Sequence, residues 1–217
     1  ENQREHYVEH QREKQFIKTL VEDIRNDILD LNSAIDKFTL INNHIDSLIP
    51  LLKDNDNMEK NAGLIYRHAV WLHDYHKVTY SDRTIEQLKN SGNFRLIGNN
   101  AVSRSIMEYD GAMTNNALDM QNSYVFQRKE KLLDLSNTIL KTRVVKNWFF
   151  KNYGGYITEI PDAPHFLTTE KSIIDRFINE LDQYSLTTTW FIGNLKNWII
   201  PKAIQLDSLI KKEYQLE

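Results

Sequence analysis

Three histidines are the first residues whose types invite a chemistry. His68, His73 and His76 fall within nine residues of one another, with Asp74 among them, and imidazole and carboxylate are common zinc ligands. On one helix, at 100° per residue, the three would stand at about 0°, 140° and 80°. His73 and His76 would then be neighbours one turn apart, while His68 would lie roughly 12 Å along the axis from His76. Zinc needs three or four converging ligands, and the HExxH spacing that supplies two on one face is absent. The expectation is therefore no metal and no cofactor, with His68 and His76 as core or lining residues bonded to carbonyls.

Other reactive constellations are missing too. There is no cysteine, which removes disulfides, thiolate metal sites and cysteine nucleophiles together. The turn Tyr153-Gly154-Gly155-Tyr156 lacks the Lys, the Ser/Thr and the following helix of a phosphate loop. No serine sits in a GxSxG elbow. Acidic residues are spread along polar faces rather than paired. The reading is a non-enzyme with no catalytic residues. A net charge of −3 and a pI near 6.2, with no basic patch interleaved with aromatics, predict no nucleic-acid partner.

Two aromatic groups remain, each with two readings. Tyr66, Trp71, Tyr75 and His76 are candidate ligand-lining residues of a pocket between helices, or packed core. Trp148, Phe149, Phe150, Tyr153 and Tyr156 form a candidate interaction surface if exposed, or a plug for the bundle end if buried.

The elements that must carry these residues are helices. Seven glycines and four prolines in 217 residues are too few turn-formers for a sandwich or barrel of many short strands. From Ile17 to Leu52, eleven positions alternate by four and three. Ten are apolar and the exception is Asn42, a residue type that fixes register in a helical seam. Before Ile17 the chain is polar, with Glu1, Glu5, Glu9 and Glu13 at four-residue spacing. This predicts a first helix of roughly 50 residues whose residues 1–15 protrude.

A second helix is predicted over Met58–Tyr80. A short one follows from Thr84, where Thr84 and Gln87 make a capping box, and Gly92 closes it. Phe94 to Ile97 plugs the bundle end. Asn99 or Asn100 caps a helix running to about Phe150, with a kink at Gly111. Trp148–Phe166 is non-helical, with a hairpin near Gly154. Thr168 or Thr169 opens a helix to Tyr184, and a last helix runs from Leu186 to Tyr214, bent at Pro201. The fold expected is all-α: an elongated antiparallel bundle, a single domain over 1–217 with its non-helical insertion near 150–166.

The run from Arg83 to Asn100, followed by Ile106 and Tyr109, resembles the central signature of an uncharacterised Bacteroidota membrane-protein family, a domain of unknown function. Leu88, the Ser91-Gly92 pair, the Leu96-Ile97 pair and a helix start ending at Tyr109 carry the pattern. The stretch from Gln3 to Asp27 is also similar to the segment that follows the family's single N-terminal transmembrane helix. The trio His68, His73 and His76 departs from it. The resemblance implies topology and no activity: a domain on the outer face of the inner membrane, facing the periplasm, held by an N-terminal anchor. The sequence opens on Glu1 rather than an initiator Met, and the expectation is that this anchor has been removed.

The function expected is a non-catalytic extracytoplasmic domain, a scaffold or module for a protein partner. The alternative is a periplasmic sensor that binds a ligand in the bundle. A monomer or weak dimer is expected for the fragment.

Overall fold

A computed structural model describes residues 2–90, 92–145 and 166–216, with the side chains of residues 2–6 and of Asn93 left out of the description. Among the described residues the chain is all-α and forms no strand. Among the described residues the fold is carried by α1 (Asn2–Lys53), α2 (Ala62–Ala69), α3 (Arg83–Asn90), α4 (Asn100–Ala112), α5 (Gln127–Ile139), α6 (Lys171–Asn194) and α7 (Ile200–Tyr214). No helix among the described residues is long and apolar enough to cross a membrane. The chain divides into two compact units. Unit 1 takes Glu1–Ile35, Lys77–Met120 and Gly193–Glu217, and unit 2 takes Asp36–His76 and Gln121–Ile192.

Helix α1 buries more than its predicted stripe. Nine of the eleven heptad positions are buried, and Ile28 and Asn42 are half-buried. A further column at seven-residue spacing is buried beside them: Glu13, Leu20, Asp27, Ala34, Ile41 and Leu48. Three adjacent columns make a face wider than a two-column coiled-coil seam, so the helix packs against several neighbours at once. Two members of the new column are acids, which composition-based periodicity does not score as core. The docked part of α1 accordingly begins at Glu13, while residues 7–12 are exposed.

In unit 1, polar ties fix the helix directions. Glu13 accepts from the Gly98 N–H at 3.0 Å and from the Tyr214 hydroxyl at 2.6 Å, and Tyr109 donates to Asp27 at 2.7 Å. Residue numbers rise together along α1 and α4, so these two run parallel. Asn99 bonds Glu213 and Lys202 lies 3.8 Å from Glu108, so α7 runs antiparallel to α4. Asn99 caps α4 as expected, accepting from the N–H groups of Ala101 and Val102. Gly92 adopts φ +66°, the left-handed conformation that ends α3. Nothing lies within 4 Å of a Cβ built there. Gly92→Ala should therefore cost only the backbone strain of that conformation, about 1 kcal/mol, read as a lowered urea midpoint.

In unit 2, α1 and α6 are antiparallel. Phe38 and Phe191 meet edge to face at 5.7 Å. Asn42, the polar exception of the heptads, accepts from Thr188 at 2.7 Å and donates to Thr189 at 3.2 Å. It ties the two helices through Thr188, whose fully buried hydroxyl also lies 3.0 Å from the Tyr184 and Ser185 carbonyls of its own helix.

Four predicted elements differ. The helix expected over Met58–Tyr80 starts at Ala62 and ends in a 3₁₀ turn, Val70–His73, after which residues 74–82 are not helical. The short helix starts one residue earlier than expected, at Arg83, so Thr84 stands inside its first turn rather than at the N-cap, and its hydroxyl donates to Asp23. The helix expected to reach Phe150 leaves α geometry in two π-helical turns, Met113–Leu118 and Gln121–Phe126, and α5 ends at Ile139. There the Ile139 carbonyl accepts from the Leu167 N–H, and the Lys141 N–H donates to the Tyr66 hydroxyl. The helix starting near Thr168 does not stop at Tyr184; α6 runs through to Asn194, and a π turn, Leu195–Ile199, leads into α7. Pro201 is the second residue of α7, directly after the π turn. The expected hairpin near Gly154 lies outside the described residues.

Candidate functional site

The loss of the predicted second helix beyond His73 decides where the candidate residues go. In unit 2 the Lys129 ammonium, from α5, donates to the carbonyls of His73 at 3.2 Å and Asp74 at 2.7 Å. It occupies acceptors that a continuing helix would have offered to later N–H groups. Lys129 also lies over the Tyr75 ring at 4.3 Å, a cation–π contact. Its residue is only 7% exposed, and burial, partly opposed by Asp74, pulls its pKa down to about 8. Asp74 in turn accepts from Lys37 at 2.7 Å and from the Tyr75 N–H. Two lysines thus clamp one turn end, one through the backbone and one through the side chain.

Trp71 sits on the neighbouring face. Lys37 Nζ is 5.9 Å from its ring centroid, and His44 stacks on it at 4.7 Å with the planes 7° apart. His44 Nδ1 is 3.0 Å from His68 Nδ1. Of the four residues expected to line a pocket, Trp71 and Tyr75 therefore flank Asp74, each with a cation against its ring. Tyr66 is buried against Phe166, stacked at 5.6 Å, with its hydroxyl on the Lys141 backbone. That makes it a packing residue. His76 is half-buried in the non-helical segment. His68, His73 and His76 do not share one helix, and the partner of His68 is His44, a histidine that the spacing search passed over because it lies 24 residues away. Among the described residues no three His, Asp or Glu side chains converge as metal ligands.

Unit 1 holds a second polar cluster. Asp23, Asp27 and Asp30 lie one turn apart on α1 and receive the segment after Val78 in reverse order. Asp30 accepts from the Thr79 N–H at 2.8 Å, Asp27 from the Ser81 N–H at 2.8 Å, and Asp23 from the Thr84 hydroxyl. Tyr109 reaches Asp27 from α4, and Tyr80 donates to Asp110 at 3.1 Å, which also pairs with Lys89 at 2.8 Å. Asp27 is 2% exposed. Burial raises its pKa despite the opposing hydrogen bonds from Tyr109 and Ser81. Burial likewise pushes the Tyr109 and Tyr80 phenols well up.

No family model, curated protein or solved structure matches this chain. The residues of the family-like motif are accordingly read from their places in unit 1. Leu88 and Ile97 are core, Leu96 is half-buried, Tyr109 is the buried partner of Asp27, and Gly92 supplies the left-handed turn. Ser91 lies outside the described residues, as do Trp148, Phe149, Phe150, Tyr153 and Tyr156.

An exposed aromatic pair was not foreseen. Tyr124 and Trp190, 51% and 54% exposed, meet edge to face at 5.9 Å in unit 2, and Leu186, one turn before Trp190, is 65% exposed. In the sequence Val102, Ile106, Tyr109, Met113, Ala117, Met120 and Tyr124 follow one another at helical spacing, which would put Tyr124 on the buried stripe. The two π turns, with more residues per turn than an α-helix, advance the buried position by one, so Val125 is fully buried in its place.

Proposed function

We propose that the chain is a non-catalytic extracytoplasmic domain of a membrane-anchored protein, acting as a scaffold or protein-interaction module that faces the periplasm. The observation that carries this reading is the path of α1. Residues 7–12 are exposed, Tyr7 by 65%, and the helix joins the packing of unit 1 only at Glu13. A helix that enters its domain through a single buried carboxylate has the form of a stalk. A tether at its N-terminal side would order those turns, which in isolation are too short and polar to be stable in water.

The buried ionisable groups support the non-catalytic part. Glu13, Asp27 and Lys129 each hold backbone groups in place. The resemblance of Arg83–Tyr109 and Gln3–Asp27 to a family of N-terminally anchored proteins points the same way.

The test is fractionation of the native full-length product, followed by protease treatment of intact and osmotically shocked cells. The expected result is recovery with the inner membrane, with digestion only after shock. Recovery in the soluble cytoplasmic fraction would overturn the proposal.

A further inference from the structure

We propose that the His44–His68 pair is an acid-sensitive latch that holds the C-terminal end of α2 against α1 within unit 2. The two Nδ1 atoms are 3.0 Å apart, a distance at which one hydrogen lies between them. The bond therefore requires one ring to donate and the other to accept, so at most one of the two Nδ1 atoms carries a proton. A proton on both leaves two donors facing each other and two positive charges in contact.

The surroundings offer the second charge no relief. Arg67, on α2, acts on both rings with the same sign. Lys37, on α1, lies against Trp71, and its partner Asp74 is already engaged at 2.7 Å. Lys129, from α5, adds a further positive charge at His73 and Asp74. From α6, Tyr184 is a buried phenol on which Asp74 acts. His44 also carries the stack on Trp71, with ring centroids 4.7 Å apart. Its displacement would uncover an indole face in the 3₁₀ turn Val70–His73.

The same surroundings would attract no divalent cation, since the fixed charges nearest the two rings are positive. Titration supports the latch in direction. Burial, then His68 and Arg67, lower the His44 pKa to about 4, and burial followed by Arg67 lowers that of His68. A base whose folded pKa lies below its unfolded value of about 6.5 is protonated more readily in the unfolded chain. Stability from the pair is therefore complete above about pH 6.5 and is lost as the pH falls towards 4. The latch stands or falls independently of where the protein is anchored.

Imidazole proton–nitrogen correlation spectra of the full chain, recorded from pH 8 to pH 4, test it together with amide exchange. His44 should stay neutral at pH 5.5, above the value of about 4 to which its surroundings lower it. Amides of residues 65–73, corrected for intrinsic rates, should exchange at least about tenfold faster at pH 5 than at pH 7.5, because at slow opening each tenfold step corresponds to about 1.4 kcal/mol of lost protection. The His44→Phe/His68→Leu double variant keeps a ring on Trp71 and removes both titrating groups, so the difference between the two pH values should fall to the part that His73 leaves. His73 remains in that variant, and an undiminished acid response would assign the effect to His73 and overturn the proposal. Titration of either ring near pH 6.5 in the unaltered protein, with exchange unchanged, would overturn it too. That measurement decides the matter even if the double variant does not fold.

Discussion

Replacing Asp27 by alanine is expected to destabilise the protein by about 2–6 kcal/mol, because two buried donors lose their acceptor. The side chain is 2% exposed and receives two donors, the Ser81 N–H at 2.8 Å and the Tyr109 hydroxyl at 2.7 Å. Alanine leaves both donors without their acceptor, at about 1–3 kcal/mol each. Asp27→Asn is the informative companion, because it keeps an acceptor for Ser81 and cannot ionise. Burial raises the folded pKa of Asp27 above the ordinary carboxylate value of 3.8. Its linkage contribution is then fully present below that value and is lost as the pH rises through the folded pKa. The stability of the asparagine variant relative to the unaltered protein should therefore improve between pH 4 and pH 7. Urea unfolding at the two pH values, followed by circular dichroism, measures both effects. An alanine variant within 1 kcal/mol of the unaltered protein would show that the carboxylate is not what holds residues 79–84 to α1.

Phe191→Ala should have an effect of similar size, about 3–5 kcal/mol for a large-to-small change in a closed core. Phe191 and Phe38 are both 0% exposed and pack edge to face at 5.7 Å, a geometry that adds about 0.5–1.5 kcal/mol beyond area. Phe191→Leu retains most of the volume and should lose less than half as much. Calorimetric melting distinguishes the two. Equal losses would mean that ring geometry rather than filled volume sets the energy of this site.

The sequence-level reading succeeded where one chain segment determines its own structure. The heptads of α1, the Asn99 cap and the left-handed Gly92 are local, and each is found. It failed where a distant side chain competes for backbone bonds. Nothing within residues 58–80 announces that Lys129 will take the His73 and Asp74 carbonyls, or that Asp30 and Asp27 will take the Thr79 and Ser81 N–H groups. The histidine pair is hidden for the same reason, because His44 and His68 are 24 residues apart and meet only where α2 packs on α1. Glu13 and Asp27 were missed because a charged residue scores as surface until its donors are known.

The three π turns, Met113–Leu118, Gln121–Phe126 and Leu195–Ile199, bear on how such a chain changes length over evolutionary time. Each accommodates one residue more than an α-helical turn would, without breaking the helix. A codon lost inside one of them returns the local ladder to α geometry and leaves the downstream residues in phase, because the turn had absorbed that one residue. After such a deletion within 113–118, Val125 would keep the inward position it now fills. These are the places where related genes would differ by single codons inside helices, and where a comparison that forbids gaps in helices would lose the relationship.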